Sequence, residues 1–236
     1  MTESKKSETQ NSPKTYKKFK AKDINSENLI EYAIRDLQPS QYDAAIKIIY
    51  DTIRDEPLSV SRRIFDYEQT IKAKKIVWRN MLNKGLSIGC FTESGELIGL
   101  NVLSIADKNE EIKIETTDKN IIDSFKLMIY TNNEADIFGK YNIDKYLTSM
   151  GLCVNPDYRL RGIATELLKV RPQIMKNLDL TVSVTTFTSL GSQTAAKNAG
   201  FEDVYVIRYD QLSKVSPNLD FVNGISDYYK IMALRI

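Results

Sequence analysis

The stretch Leu152-Cys153-Val154-Asn155-Pro156-Asp157-Tyr158-Arg159-Leu160-Arg161-Gly162-Ile163-Ala164-Thr165 holds the residue types from which a phosphate cradle is built. An apolar run breaks at a proline and a short basic loop follows, after which Ala164, Leu167, Leu168, Ile174 and Met175 recur at roughly helical spacing. The first turn of a helix presents backbone N–H groups without intrahelical partners, together with the positive end of the peptide dipole. An anion is therefore held there without special side chains. Gly162 lets the backbone approach such an anion, Ala164 keeps the turn thin, and Arg159 and Arg161 bring planar guanidinium forks. By spacing alone, Arg-x-x-Gly-x-Ala fits a solvated structural turn equally well.

The 236 residues include no histidine. Ser-His-Asp and Cys-His chemistry are excluded, as are histidine-dependent metal sites. A base must then be a carboxylate, an ordered water, or a Tyr, Cys or Lys with a shifted pKa. Glu56, within Asp55-Glu56-Pro57-Leu58, reads by itself as an exposed loop acid. Thr188 and Ser192 follow a β-branched strand, where capping of the next helix by Thr188 or Ser189 is the simplest role for these hydroxyls. Cys90 and Cys153 stand in apolar, strand-like runs and read as small buried hydrophobes, which suits a reducing cytosol.

These residues need a scaffold, and the chain is long enough to bury one substantial core. With 42% apolar and 27% charged residues and a net charge of +2, it gives no reason to expect nucleic acid as a partner. No run approaches the ~18 apolar residues of a membrane span, and the N-terminus lacks a secretory apolar region, so a cytoplasmic protein is expected. Residues 1–28, rich in Lys, Ser, Thr, Glu and Asn, are expected to form a disordered polar tail, and 29–236 a single domain.

The pattern predicts a strand over 29–37 and a helix after Ser40 with Ile46, Ile49, Tyr50 and Ile53 as its stripe. A second helix from Ser61 to Gly85 carries Ile64, Tyr67, Ile71, Trp78 and Leu82. A hairpin follows over 86–92 and 97–105. Between 107 and 145 the chain is polar and then helical, and its role is not legible from pattern. After the strand ending at Val154, a helix from Ile163 to Lys176 is broken or bent by Pro172. A strand over 180–187, a helix over 189–199 and strands over 204–209 and 229–236 complete the order. Such interleaving implies a mixed α/β sheet with helices on both faces and ligands near the C-terminal ends of the central strands.

The basic loop resembles the acyl-CoA pyrophosphate loop of the GCN5-related N-acetyltransferase (GNAT) superfamily, with Arg159, Gly162 and Ala164 in its three specified places. The surrounding Val154-x-Pro156-x-Tyr158-Arg159-x-Arg161-Gly162-Ile163-Ala164 is more similar still to the insect-type arylalkylamine (dopamine or serotonin) N-acetyltransferases. Asp55-Glu56-Pro57-Leu58 matches a segment of that group whose glutamate is the proposed general base. The segment Thr188-Ser189-Leu190-Gly191-Ser192, ahead of Gly200-Phe201, looks like the one bearing two catalytic serines. Ser192 fits one place, and Thr188 stands at the other.

The resemblance implies a mixed, mostly antiparallel central sheet, acetyl-CoA as co-substrate, no metal, and direct transfer to a small primary amine such as an arylalkylamine. It places Leu152, Cys153 and Val154 at the thioester, Arg159, Leu160, Arg161, Gly162, Ile163, Ala164 and Thr165 at the pyrophosphate, and Glu56, Thr188 and Ser192 in catalysis. A polyamine or protein N-acetyltransferase, or a CoA-binding module without chemistry, are the alternatives. A histidine common near the final strand of the group is absent, with Asp227, Tyr228 and Tyr229 in its vicinity, so amine preference is not carried over. Burial of Cys153 would raise its thiol pKa and disfavour a covalent acyl intermediate. Oligomeric state is not legible, and a monomer is expected.

Overall fold

The computed structural model describes residues 12–110, 116–212 and 226–236. Eight strands form one sheet: β1 (Thr15–Lys22), β2 (Leu29–Asp36), β3 (Ile88–Thr92), β4 (Leu97–Asp107), β5 (Lys145–Val154), β6 (Val182–Phe187), β7 (Glu202–Arg208) and β8 (Tyr228–Arg235). Their spatial order is β1-β2-β3-β4-β5-β6-β8-β7. Every neighbouring pair is antiparallel except β5 and β6, which run parallel. The mixed, mostly antiparallel α/β sheet is the expected one.

Helices α1 (Tyr42–Thr52), α2 (Pro57–Ser61) and α3 (Glu68–Leu82) lie between β2 and β3 in the chain, and α4 (Lys119–Ala135) and α5 (Ile137–Tyr141) between β4 and β5. After β5 come α6 (Ile163–Lys169) and α7 (Arg171–Asn177), then α8 (Leu190–Asn198) and the one-turn α9 (Tyr209–Leu212). Ile163, Leu167, Ile174 and Met175 pack with Ile34, Ile88 and Leu147 in one core cluster. Ala45, Ile49, Trp78 and Leu82 pack with Phe91, Leu100 and Val102 in a second. Helices thus cover both faces, each through its apolar stripe.

Two expectations shift and a third, the break in the helix from Ile163, holds. The tail predicted over 1–28 fails for Thr15–Lys22, which form the edge strand β1 against β2. Its alternation was present in the sequence: Phe19 and Ala21 turn toward the core cluster, while Lys18, Lys20 and Lys22 stay exposed. A lysine-rich edge of this kind also discourages strand addition by another chain. Residues 1–11 lie outside the described residues. The helix expected from Ser61 starts at Glu68, because α2 ends at Ser61, Arg63 takes a left-handed φ of 48° and a 3-10 turn follows over Ile64–Asp66. The helix from Ile163 breaks at Val170, since Pro172 lacks the N–H that a continuous helix requires and sits instead in the first turn of α7.

Candidate active site

Parallel β5 and β6 touch in register at one pair, Leu147 and Ser183, and diverge beyond it. The remaining edges of both strands face a cavity of about 1830 Å³ lined by Leu152, Cys153 and Val154 from β5 and by Thr185 to Phe187 from β6. What opens the gap is a bulge. On the β4 side, Val102 pairs with Gly151 but Leu103 pairs with Ser149, so Met150 is an extra residue and β5 bends there.

Asn101 of β4 clamps this bulge by donating from Nδ2 to Ser149 Oγ and to the Gly151 carbonyl, both at 2.7 Å. Its own carbonyl is held by Arg171, which is fully buried and donates through Nε and Nη2 at 3.0 and 2.8 Å. The same guanidinium donates through Nη1 to Ser183 and Thr185 of β6, at 3.0 and 2.7 Å. Arg171 therefore joins the bulge on one wall of the gap to the strand on the other. Burial pulls its pKa down to about 9, and it remains a cation at neutral pH. The sequence reading missed Arg171 and Asn101. A signal existed, because Arg171 stands four residues after Leu167 and three before Ile174, on an otherwise apolar stripe.

Glu56 is not the exposed loop acid that its isolated motif suggests. It is half-buried, lines the cavity and caps α2, accepting from Leu58 N–H at 3.1 Å through Oε1 and from Ser59 N–H at 2.7 Å through Oε2. Pro57 at the first helical position makes this cap work, since its missing N–H would have had no intrahelical acceptor. Cys153, buried on β5, has its thiol pushed up to about 12 by burial and is protonated at neutral pH.

Thr188 and Ser192 also line the cavity. Ser192 Oγ accepts from Ser189 N–H at 3.3 Å and donates to the Ser189 carbonyl at 2.9 Å, while Ser189 Oγ caps the Ser192 N–H at 3.2 Å. The N-cap of α8 is thus Ser189, with Ser192 closing a capping box. Thr188 takes part through its backbone carbonyl, which accepts the Tyr209 hydroxyl at 2.7 Å, and its own hydroxyl has no hydrogen-bond partner among the described residues.

In the basic loop, Arg159, Leu160, Gly162, Ile163, Ala164 and Thr165 all line the cavity. Gly162 has φ +77°, and a Cβ built there would meet no atom within 4 Å, so open space adjoins its backbone where an anion would sit. Arg159 reaches across to Asp55, with Nη2 3.3 Å from Oδ1 and Nη1 bonded to Oδ2. Arg161 departs from expectation. Its guanidinium donates to the carbonyls of Lys22, Asp23, Asp157 and Arg159 at 2.8–3.3 Å, and it is not among the cavity-lining residues. The carbonyls at the end of β1 were invisible to a reading that placed this segment in a tail.

Among solved structures, the chain matches the yellow fever mosquito (Aedes aegypti) protein named arylalkylamine N-acetyltransferase 7 at 32% identity and a TM-score of 0.90. The match covers 97% of this chain and 98% of that one. The chain belongs to the insect arylalkylamine N-acetyltransferase family. Within this GNAT family it also shares the fold of arylalkylamine N-acetyltransferase 2 from the same mosquito, at 22% identity, TM-score 0.77, and 87% and 99% coverage. Drosophila melanogaster polyamine N-acetyltransferase shares it as well, at 16% identity, TM-score 0.75, and 87% and 100% coverage. No protein-family model matches the chain, and no curated protein sequence matches it. No helix among the described residues is long and apolar enough to cross a membrane, and no cluster of potential metal ligands occurs among them.

Proposed function

We propose that this arylalkylamine N-acetyltransferase family member transfers the acetyl group of acetyl-CoA directly to a small primary amine, an arylalkylamine being the first class to test. The observation that carries the reading is the opened β5–β6 gap, which exposes unpaired backbone of Leu152–Val154 to the same cavity that Glu56 and the 159–165 loop line.

Acetyl-CoA is the co-substrate and supplies the activated acetyl thioester. Gly162 and the N–H groups of Ile163, Ala164 and Thr165 fit its pyrophosphate, because the backbone adjoins open space and a helix start supplies donors. Arg159 adds positive charge once it exchanges Asp55 for phosphate. An amine with a pKa of about 10 is mostly protonated at neutral pH and must lose a proton to act as nucleophile. Glu56 takes that proton; both of its oxygens keep a lone pair beyond their bonds to α2. The amine nitrogen then bonds to the acetyl carbon, the C–S bond breaks, and the second proton that the nitrogen sheds on becoming an amide is relayed through the Thr188 hydroxyl or water to the departing sulfur. Backbone N–H groups of β5 polarise the acetyl oxygen during this exchange. Cys153, protonated and buried, takes no covalent part.

The test is release of CoA thiol with dopamine, serotonin, tyramine, spermidine, agmatine and a lysine peptide as acceptors. Glu56→Gln should lower kcat/KM by roughly 10²–10⁴-fold at unchanged acetyl-CoA affinity. Parent-rate turnover by the variant would remove Glu56 as base. Acetyl-CoA binding without turnover of any amine would leave a CoA-binding module.

A further inference from the structure

Helix α3 presents Ile71, Lys74, Trp78 and Leu82 along one stripe, so a lysine stands where an apolar residue would be expected. Lys74 lines the cavity, and it makes no hydrogen bond or ion pair among the described residues. Arg62, at the C-terminal end of α2, lines the same cavity and is 7% exposed. Its Nη1 donates to Ser124 Oγ at 2.5 Å and its Nη2 to the Asp123 carbonyl at 3.4 Å, both uncharged acceptors.

A buried Arg62 and a half-buried Lys74, neither with an ion-pair partner among the described residues, are costly to fold. Burial lowers the pKa of each, and the acids that bear on them electrostatically are Glu56, Asp118 and Asp123. Glu56 caps α2, and Asp118 caps α4 while accepting from the Thr70 hydroxyl at 2.7 Å. A site that keeps such a pair facing a cavity is suited to an anion arriving with the ligand.

We infer that the amine accepted by this protein also carries an anionic group, which Arg62 and Lys74 bind while the amino group is presented to Glu56. The inference rests on the acetyl-transfer reading and narrows it to acceptors with a charge of each sign. Phe125 and Trp78 line the same cavity and offer apolar surface to the body of such a molecule.

Matched pairs test it with the full chain and saturating acetyl-CoA: phenylalanine against phenethylamine, and β-alanine, taurine and O-phosphoethanolamine against propylamine. CoA release is compared at equal concentrations of unprotonated amine, which removes differences in amine pKa. In at least one pair the anionic member should exceed its neutral partner in kcat/KM by about tenfold or more, as a charge-assisted contact requires. The carboxylate, sulfonate and phosphate arms identify which anion is preferred. Lys74→Met should bring that ratio below about threefold and should not lower the melting temperature, because it removes a half-buried charge that has no ion-pair partner among the described residues. Arg62→Gln provides the same comparison should Lys74→Met not fold. Neutral partners that match the anionic ones in every pair, or a preference that survives in the variant, overturn the inference and leave acetyl transfer intact. No turnover with any amine overturns both.

Discussion

Arg171 holds the side-chain carbonyl of Asn101 from two nitrogens, Nε at 3.0 Å and Nη2 at 2.8 Å, with no carboxylate among its hydrogen-bond partners in the described residues. The two residues carry unequal risk. Asn101→Leu leaves a buried cation with two donors unanswered and should cost about 3–5 kcal/mol. Arg171→Met removes the charge itself and leaves only neutral acceptors, so its cost should be smaller. The double variant should be more stable than the sum of the singles predicts, as measured by denaturant unfolding with all four proteins. Both singles should also reduce acetyl-CoA turnover, since the Met150 bulge that opens the gap loses its clamp.

Gly162 and Gly95 share a left-handed backbone, at φ +77° and +85°, with no atom within 4 Å of a Cβ placed on either. Only Gly162 lines the cavity. Alanine at either position should cost about 1–2 kcal/mol of stability. Acetyl-CoA affinity measured by calorimetry should fall for Gly162→Ala and remain at the parent value for Gly95→Ala.

Both thiols are pushed up to about 12 by burial, against about 8.5 in an unfolded chain. Below pH 8 each is protonated in both states and contributes nothing to pH dependence. Above pH 8.5 the unfolded thiols ionise while the folded ones do not, so the unfolded state binds fewer protons and stability falls as pH rises. The loss should approach about 1.4 kcal/mol per thiol per pH unit until the folded pKa is reached. Cys90→Ala and Cys153→Ala should each show a flatter decline between pH 9 and 10.5 than the parent. Intact-mass measurement during turnover should find no acetylated Cys153.

Ser192 is occupied in the cap of α8, whereas the Thr188 hydroxyl has no hydrogen-bond partner among the described residues. Ser192→Ala should therefore cost about 1 kcal/mol of stability with kcat within a few-fold of the parent. Thr188→Val should keep stability and lower kcat more. The reverse ranking of kcat would return the proton-donating role to Ser192.

Arg161 ties the basic loop to the end of β1 through the Lys22 and Asp23 carbonyls. Removing residues 1–22 should lower the melting temperature rather than prove neutral, because β2 would lose one of its two partner strands and Asp36 the bond it accepts from Tyr16. Arg161→Ala should speed trypsin cleavage within Lys17–Lys22 by about tenfold through easier local opening. It should leave the salt dependence of acetyl-CoA binding close to that of the parent.

The sequence by itself determined the order of strands from Leu29 onward, the break at Pro172 and the basic loop, because each is written in local periodicity, a proline or a glycine at a helix start. It also showed that no histidine chemistry was open to this protein. It misjudged Thr15–Lys22, where a short lysine-rich strand has little apolar surface of its own and gains order from pairing with β2. Tertiary structure decided the rest. Whether an arginine reaches a phosphate or a neighbouring carbonyl depends on what lies across from it, and for Arg161 that was the end of a strand 139 residues away in the chain. The Met150 bulge and the Arg171–Asn101 clamp arise in the same way. They are contacts between elements far apart in sequence, and burial gives charge and hydrogen bonding there an energy that no local pattern encodes.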